Sequence, residues 1–258
     1  MHGELSISIS TVVGFGLTLV RLLGMFTFLP WPGAQAGPSA ARVMFALACT
    51  MSLQAKWVVL DSVPAISTLI ALLAGEAALG LFAGVAVAWM AEIFTMGAQA
   101  LSVQAGYSFA STFDPNTQAD SGILQIFAQL TAGLLFFTTG LHREVIRVFA
   151  LSLDTCPPGS FTVGPSLVQV LVRLGTEVFG LAVRIALPII GLLFLVDLAM
   201  GVVGRVNAQM QMISLSFPVK MLVALMMLAS LLTVFPLLYQ RESAHVIQAI
   251  TDHVRAAH

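Results

Sequence analysis

The chain has 258 residues, of which 58% are hydrophobic and 9% charged, with a formal net charge of −1. A soluble domain carries charge on roughly a quarter of its residues, so a mean hydropathy of +0.97 excludes an ordinary water-exposed surface and points to membrane lipid or burial in a membrane-associated assembly. A near-neutral chain without a basic run also excludes nucleic acid as a partner.

Six long apolar segments are expected in chain order, giving an all-α, membrane-associated fold. The first, Leu5–Leu29, follows a start without Lys or Arg and is too long for the apolar core of a cleaved signal, so it reads as a retained helix. It contains Arg21 and ends at Pro30-Trp31-Pro32-Gly33. The second, Ser39–Lys56, ends before a turn at Asp61 to Pro64. The third, Ile66–Thr95, holds Glu76 and Glu92, and its periodicity runs on towards Tyr107. Glu76 shares a helical face with Gly80 and Gly84. Small residues at four-residue spacing let membrane helices approach closely, so this face reads as an interface with Glu76 bonded across it.

A polar break follows, GYSFASTFDPNTQADSG from Gly106 to Gly122. Polar non-helical backbone at membrane depth survives only where protein buries it or where it lines an aqueous cavity. Its glycines suit hinges, Asp114-Pro115 suits a turn, and Phe109 and Phe113 are its apolar members.

The fourth segment is Ile123–Leu141, and Cys156-Pro157-Pro158-Gly159 marks the next turn. The fifth, Leu167–Gly204, would run about 55 Å as a helix, against a hydrocarbon core of roughly 30 Å. Pro188 removes a backbone bond inside it and predicts a kink. The sixth, Ile213–Tyr239, follows a turn at Asn207 to Gln211 and carries two further expected kinks at Pro218 and Pro236. These overlong, bent segments read either as tilted spanning helices or as a bent hairpin packed on protein. A weakly amphipathic tail, Ser243 to Val254, is expected on a partner or at the membrane face.

Ionisable residues inside such segments cost roughly 2.5 to 3.5 kcal/mol each in lipid, so each must face protein or water. They are Arg21, Glu76, Glu92, Arg173, Glu177, Arg184, Asp197 and Lys220. Arg173, Glu177 and Arg184 fall within about 40° of one another on a helix. This stripe reads as an ion-paired contact between helices or as a proton or substrate site. If all six segments span, Lys56, Arg143, Arg147, Arg241 and Arg255 lie on one side and Arg42 and Arg205 on the other, which predicts both termini in the cytoplasm. Catalytic and phosphate-binding motifs are absent, the two cysteines have no ligand spacing, and no cofactor or metal is expected, so an enzyme is not the reading.

Five stretches in order carry a family resemblance. They are RLLGMFTFLPWPGAQAGPSAARVMFALA from Arg21, GEAALGLFAG from Gly75, SFASTFDP from Ser108, EVFGLAVRIALPIIGLLFLVDLAMGVVGR from Glu177 and SLSFPVKMLV from Ser214. Together they resemble the FliR family of flagellar export-gate proteins and its injectisome counterparts, with the flagellar branch the better match. In the first stretch Arg21, Gly24, Pro30, Pro38 and Arg42 stand where the family has its Arg, Gly, two Pro and Arg. The injectisome branch tends to carry a charged run before the central break, where this chain has Ser102-Val103-Gln104-Ala105-Gly106.

The resemblance implies a FliP-like part over residues 1–165 and a FliQ-like bent hairpin with its tail over 166–258. It further implies assembly with FliP-like and FliQ-like subunits, an FlhB-like protein as a further partner, and passage of unfolded export substrates across the bacterial inner membrane at the flagellar basal body. In that setting Gly106 to Gly122 resembles a pore plug, with Phe109 and Phe113 as stoppers, and the intramembrane charges become contacts between helices or subunits. The rival reading from another class is a secondary transporter with an intramembrane Glu/Arg site at Glu177.

Overall fold

The computed structural model describes residues 9–30, 39–58, 64–107, 122–161, 164–206 and 212–256. Among them are eight α-helices, one short 3-10 turn at Gln54–Lys56 and no strand. The helices are α1 (Ile9–Phe28), α2 (Ser39–Ser52), α3 (Ile66–Ala105), α4 (Ile123–Thr138), α5 (Leu141–Thr155), α6 (Pro165–Val206), α7 (Met212–Leu232) and α8 (Phe235–Ala256).

Three expected elements change. The third segment runs on as one helix to Ala105, as its periodicity suggested. Beyond the fourth lies α5, which does not stand out as an apolar run because its sequence, LHREVIRVFALSLDT, is polar on one side. Its buried residues Leu141, Val145, Phe149, Ser152 and Leu153 recur at helical spacing. Gly140, at φ 79°, turns the chain from α4 into α5, and Glu144 lies in α5's first turn, where the helix dipole favours an acid. The sixth segment is two helices. They meet at 57° across Thr233-Val234, so the bend beside Pro236 is a break, with Pro236 in the first turn of α8. A proline there forfeits no intrahelical bond, because first-turn N–H groups have no partner in the helix. Pro188 and Pro218 do lie inside helices, α6 and α7.

The tail is the second half of α8, and Val246, Ile250 and Val254 are buried within the chain, so the expected placement on a partner or at the membrane face is corrected. The spacing 246, 250, 254 is one helical face, and its apolar side chains cover part of the chain's own core.

Among the described residues three helices, α1, α3 and α6, are long and apolar enough to cross a bilayer; counting α4 with α5 and α7 with α8 as bent spans makes five. The six-span count behind the expected topology therefore does not hold: α2, at 14 residues, reaches only about 21 Å. The chain gathers into two compact units. One comprises residues 1–89, 136–175 and 243–258, the other 90–135 and 176–242, so neither is continuous in sequence.

Beside an apolar core, the chain buries an ion pair and leaves large apolar side chains exposed. Arg21 and Glu76 are 2% and 0% exposed, whereas Phe179 and Leu195 on α6 are 58% and 60% exposed. Apolar surface of that extent is stable against lipid or an apolar partner.

Candidate functional site

Two clusters of polar side chains organise the described residues, one in each compact unit. The first joins α1, α3 and the end of α5. Gly80 faces α1 so closely that a Cβ on it would overlap the carbonyl oxygen of Arg21, and Gly84 stands likewise to Met25. The absence of side chains at these two positions is what lets the backbones touch.

Beside that crossing, Arg21 Nε donates to Glu76 Oε2 at 2.5 Å and Nη2 donates to Oε1 at 3.1 Å. The planar fork of arginine matches a carboxylate in this two-point geometry. Nη1 donates to the carbonyls of Ser152 (3.1 Å) and Cys156 (3.0 Å) and to Ser152 Oγ (3.2 Å). Those carbonyls belong to the closing turn of α5, the negative end of its dipole, where a cation is favoured. The backbone N–H of Gly159 donates to Glu76 Oε1 at 2.8 Å. Both charges are thus paired and further hydrogen-bonded in a site closed to solvent. Such an arrangement locks three helices together.

The second cluster surrounds the point at which α3 ends. The N–H of Tyr107 bonds to the carbonyl of Ser102 (3.0 Å) and that of Gly106 to Val103 (3.2 Å), the paired bonds of a Schellman ending. Gly106 holds φ at 85°, in the left-handed region. The Phe217 ring occupies the space a side chain would need, 2.5 Å from the ideal Cβ position. Gly106 is therefore required on two counts, conformation and room. Nearby, Lys220 Nζ pairs with Asp197 Oδ1 at 2.5 Å, Gln104 Nε2 donates to Asp197 Oδ2 at 3.5 Å, and Tyr107 Oη donates to the Met221 carbonyl at 3.3 Å.

Of the residues singled out from sequence, Arg21, Glu76, Gly80 and Gly84 meet in the first cluster, and Gly106, Asp197 and Lys220 in the second. Arg173, Glu177 and Arg184 are exposed along α6. Gly122 precedes α4 and its carbonyl accepts the N–H of Ile126 at 2.7 Å. Phe109, Phe113, Asp114 and Pro115 lie outside the described residues. Sequence reasoning missed Ser152, the Cys156 carbonyl and the Gly159 N–H as partners of the ion pair, because backbone acceptors leave no mark in residue type. It also missed Phe217 and Tyr107, although both flank residues that it did single out.

Long apolar helices that expose large apolar side chains, with a paired charge buried among them, define an all-α protein embedded in a membrane. The chain belongs to the family described as Bacterial export proteins, family 1, which matches residues 12–246. It is similar to the flagellar biosynthetic protein FliR of Pectobacterium carotovorum subsp. carotovorum, 26% identical over 245 residues that cover 95% of this chain and 94% of that protein. It is also similar to FliR of Escherichia coli strain K12, 25% identical over 215 residues covering 83% and 82%. FliR of Bacillus subtilis strain 168 is 24% identical over 222 residues covering 83% and 84%. The FliR family is thereby established for this chain, and with it a role in flagellar biosynthesis as an export protein.

Proposed function

We propose that the chain is a structural channel subunit of the flagellar protein export gate. It assembles with FliP-like and FliQ-like subunits and an FlhB-like protein in the inner membrane at the basal body, and the complex forms and closes the pore for unfolded substrates. Residues 1–165 act as the FliP-like part and 166–258 as the FliQ-like part. The segment from Gly106 to Gly122 closes the lumen, with Phe109 and Phe113 excluding water from its narrowest part.

The observation that carries this reading is α6. A 42-residue helix exposes Phe179, Leu187, Phe194, Leu195 and Leu198, and among them the charged Arg173, Glu177 and Arg184. Lipid tolerates the first group and not the second. Partner helices from other subunits would cover the apolar side chains and keep the exposed charged ones out of lipid.

The test is purification of the tagged chain from its native membrane. FliP-like and FliQ-like subunits co-purify at a fixed ratio, and Glu177→Gln lowers their recovery. Recovery of a lone chain that takes up a small solute, with uptake abolished by the same substitution, would favour the transporter and sink the proposal.

A further inference from the structure

The face of α7 that meets the end of α3 carries Phe217, Lys220 and Met221, at positions i, i+3 and i+4 and therefore on one side of the helix. Each of the three holds a different part of the same turn. The Phe217 ring fills the space over Gly106, the Met221 carbonyl accepts the Tyr107 hydroxyl, and Lys220 reaches the turn through Asp197, which also accepts from Gln104. Gln104, Gly106 and Tyr107 are the last residues before the undescribed stretch begins.

The Lys220 and Asp197 side chains are 13% and 35% exposed, so the pair is screened from water without being sealed. Pro218, inside α7, cannot donate a backbone bond to the carbonyl of Ser214, so the turn just before Lys220 and Met221 is softened relative to the rest of the helix.

We propose that this face of α7 is a latch on the root of the central segment. The Lys220–Asp197 pair, with Gln104 and Tyr107, holds the glycine turn at the end of α3, and a shift of α7 at Pro218 releases it. The physical claim concerns Gly106 and Tyr107 alone. Its consequence for the pore rests on the channel reading above.

Amide hydrogen exchange on the full chain in its purified complex tests the latch. In Lys220→Met, exchange at Gly106 and Tyr107 rises about tenfold, as local opening becomes less costly, while residues 76–84 of the same helix keep their protection. The double exchange Asp197→Lys with Lys220→Asp restores protection. Should Lys220→Met not fold, Tyr107→Phe, which removes one hydroxyl from a half-buried position, decides: exchange at Gly106 rises several-fold. Unchanged exchange at Gly106 and Tyr107, or a rise shared equally by residues 76–84, overturns the latch. Ion conductance of the reconstituted complex separates the two claims. Raised exchange with unchanged conductance keeps the latch and removes the pore role of the segment. Unchanged exchange with raised conductance does the reverse.

Discussion

Two ion pairs of this chain, Arg21–Glu76 and Lys220–Asp197, solve the same problem in different ways. Arg21–Glu76 is sealed: both side chains are at most 2% exposed, and the arginine spends its donors on a carboxylate, two carbonyls and a hydroxyl. Lys220–Asp197 is partly open, a single 2.5 Å contact supported by one longer bond from Gln104. An arginine holds a planar carboxylate at two points and fixes orientation, while a lysine behaves as a point charge on a flexible stem. The first pair therefore suits a permanent joint between helices, and the second suits a contact that is made and broken.

The sharpest way to break that contrast is to neutralise the sealed pair. Glu76→Gln keeps the shape of the carboxylate and leaves the Arg21 charge without its counterion in a closed site. Removing one partner of a buried pair costs about 3–5 kcal/mol. The midpoint of thermal unfolding in detergent should fall steeply, and the purified yield with it. A loss below about 1 kcal/mol, the range of exposed pairs, would show that water reaches this site and that the two pairs do not differ in kind.

The crossing beside the pair gives a smaller effect with a built-in control. Gly80→Val sets a branched side chain against the Arg21 carbonyl, and overpacking of this sort costs about 1–3 kcal/mol. At Gly16, also on α1, a Cβ would meet nothing within 4 Å. Gly16→Val should therefore leave the unfolding midpoint nearly unchanged. Equal effects at the two positions would mean that helix propensity, rather than the close approach of α1 and α3, sets the cost.

Much of this joint was legible before its geometry was known, and the limits have physical causes. Arg21 and Glu76 stand out because each is a charge in an apolar run, and Gly80 and Gly84 because they are small and spaced by a helical turn. Their meeting did not follow, since helical periodicity assigns a residue to a face of its own helix and says nothing of which helix lies opposite. The α5 helix escaped because its apolar positions alternate with His142, Arg143, Glu144 and Arg147, so hydropathy averaged over a window cancels the signal that spacing retains. In α8 the reverse happened. Phe235 and Tyr239 were read as the end of an apolar run, whereas they pack on Phe94 at 4.5 Å and 5.8 Å between ring centres and begin a new helix. The latch residues were partly visible: Asp197 and Lys220 were noted as costly in lipid, yet the tie from both to Gly106 needed the fold.

A third ion pair bounds the comparison from below. Lys56 Nζ lies 2.6 Å from Asp154 Oδ2, with the side chains 31% and 54% exposed, and it also donates to the Ala150 carbonyl at 3.1 Å. Asp154→Asn removes the charge but leaves Lys56 a backbone acceptor on the same helix. Asp154 also lies in the last turn of α5, where the helix dipole disfavours an acid. Loss of the pair and relief of that repulsion act in opposite directions, so the net change should be within about 0.5 kcal/mol, at the low end for exposed pairs. Raising the salt concentration should shrink any residual difference from the parent protein, because solvent-exposed charges are screened. A loss above about 2 kcal/mol, or one that salt leaves intact, would place this contact with the sealed pair and remove exposure as the property that separates joints from latches in this chain.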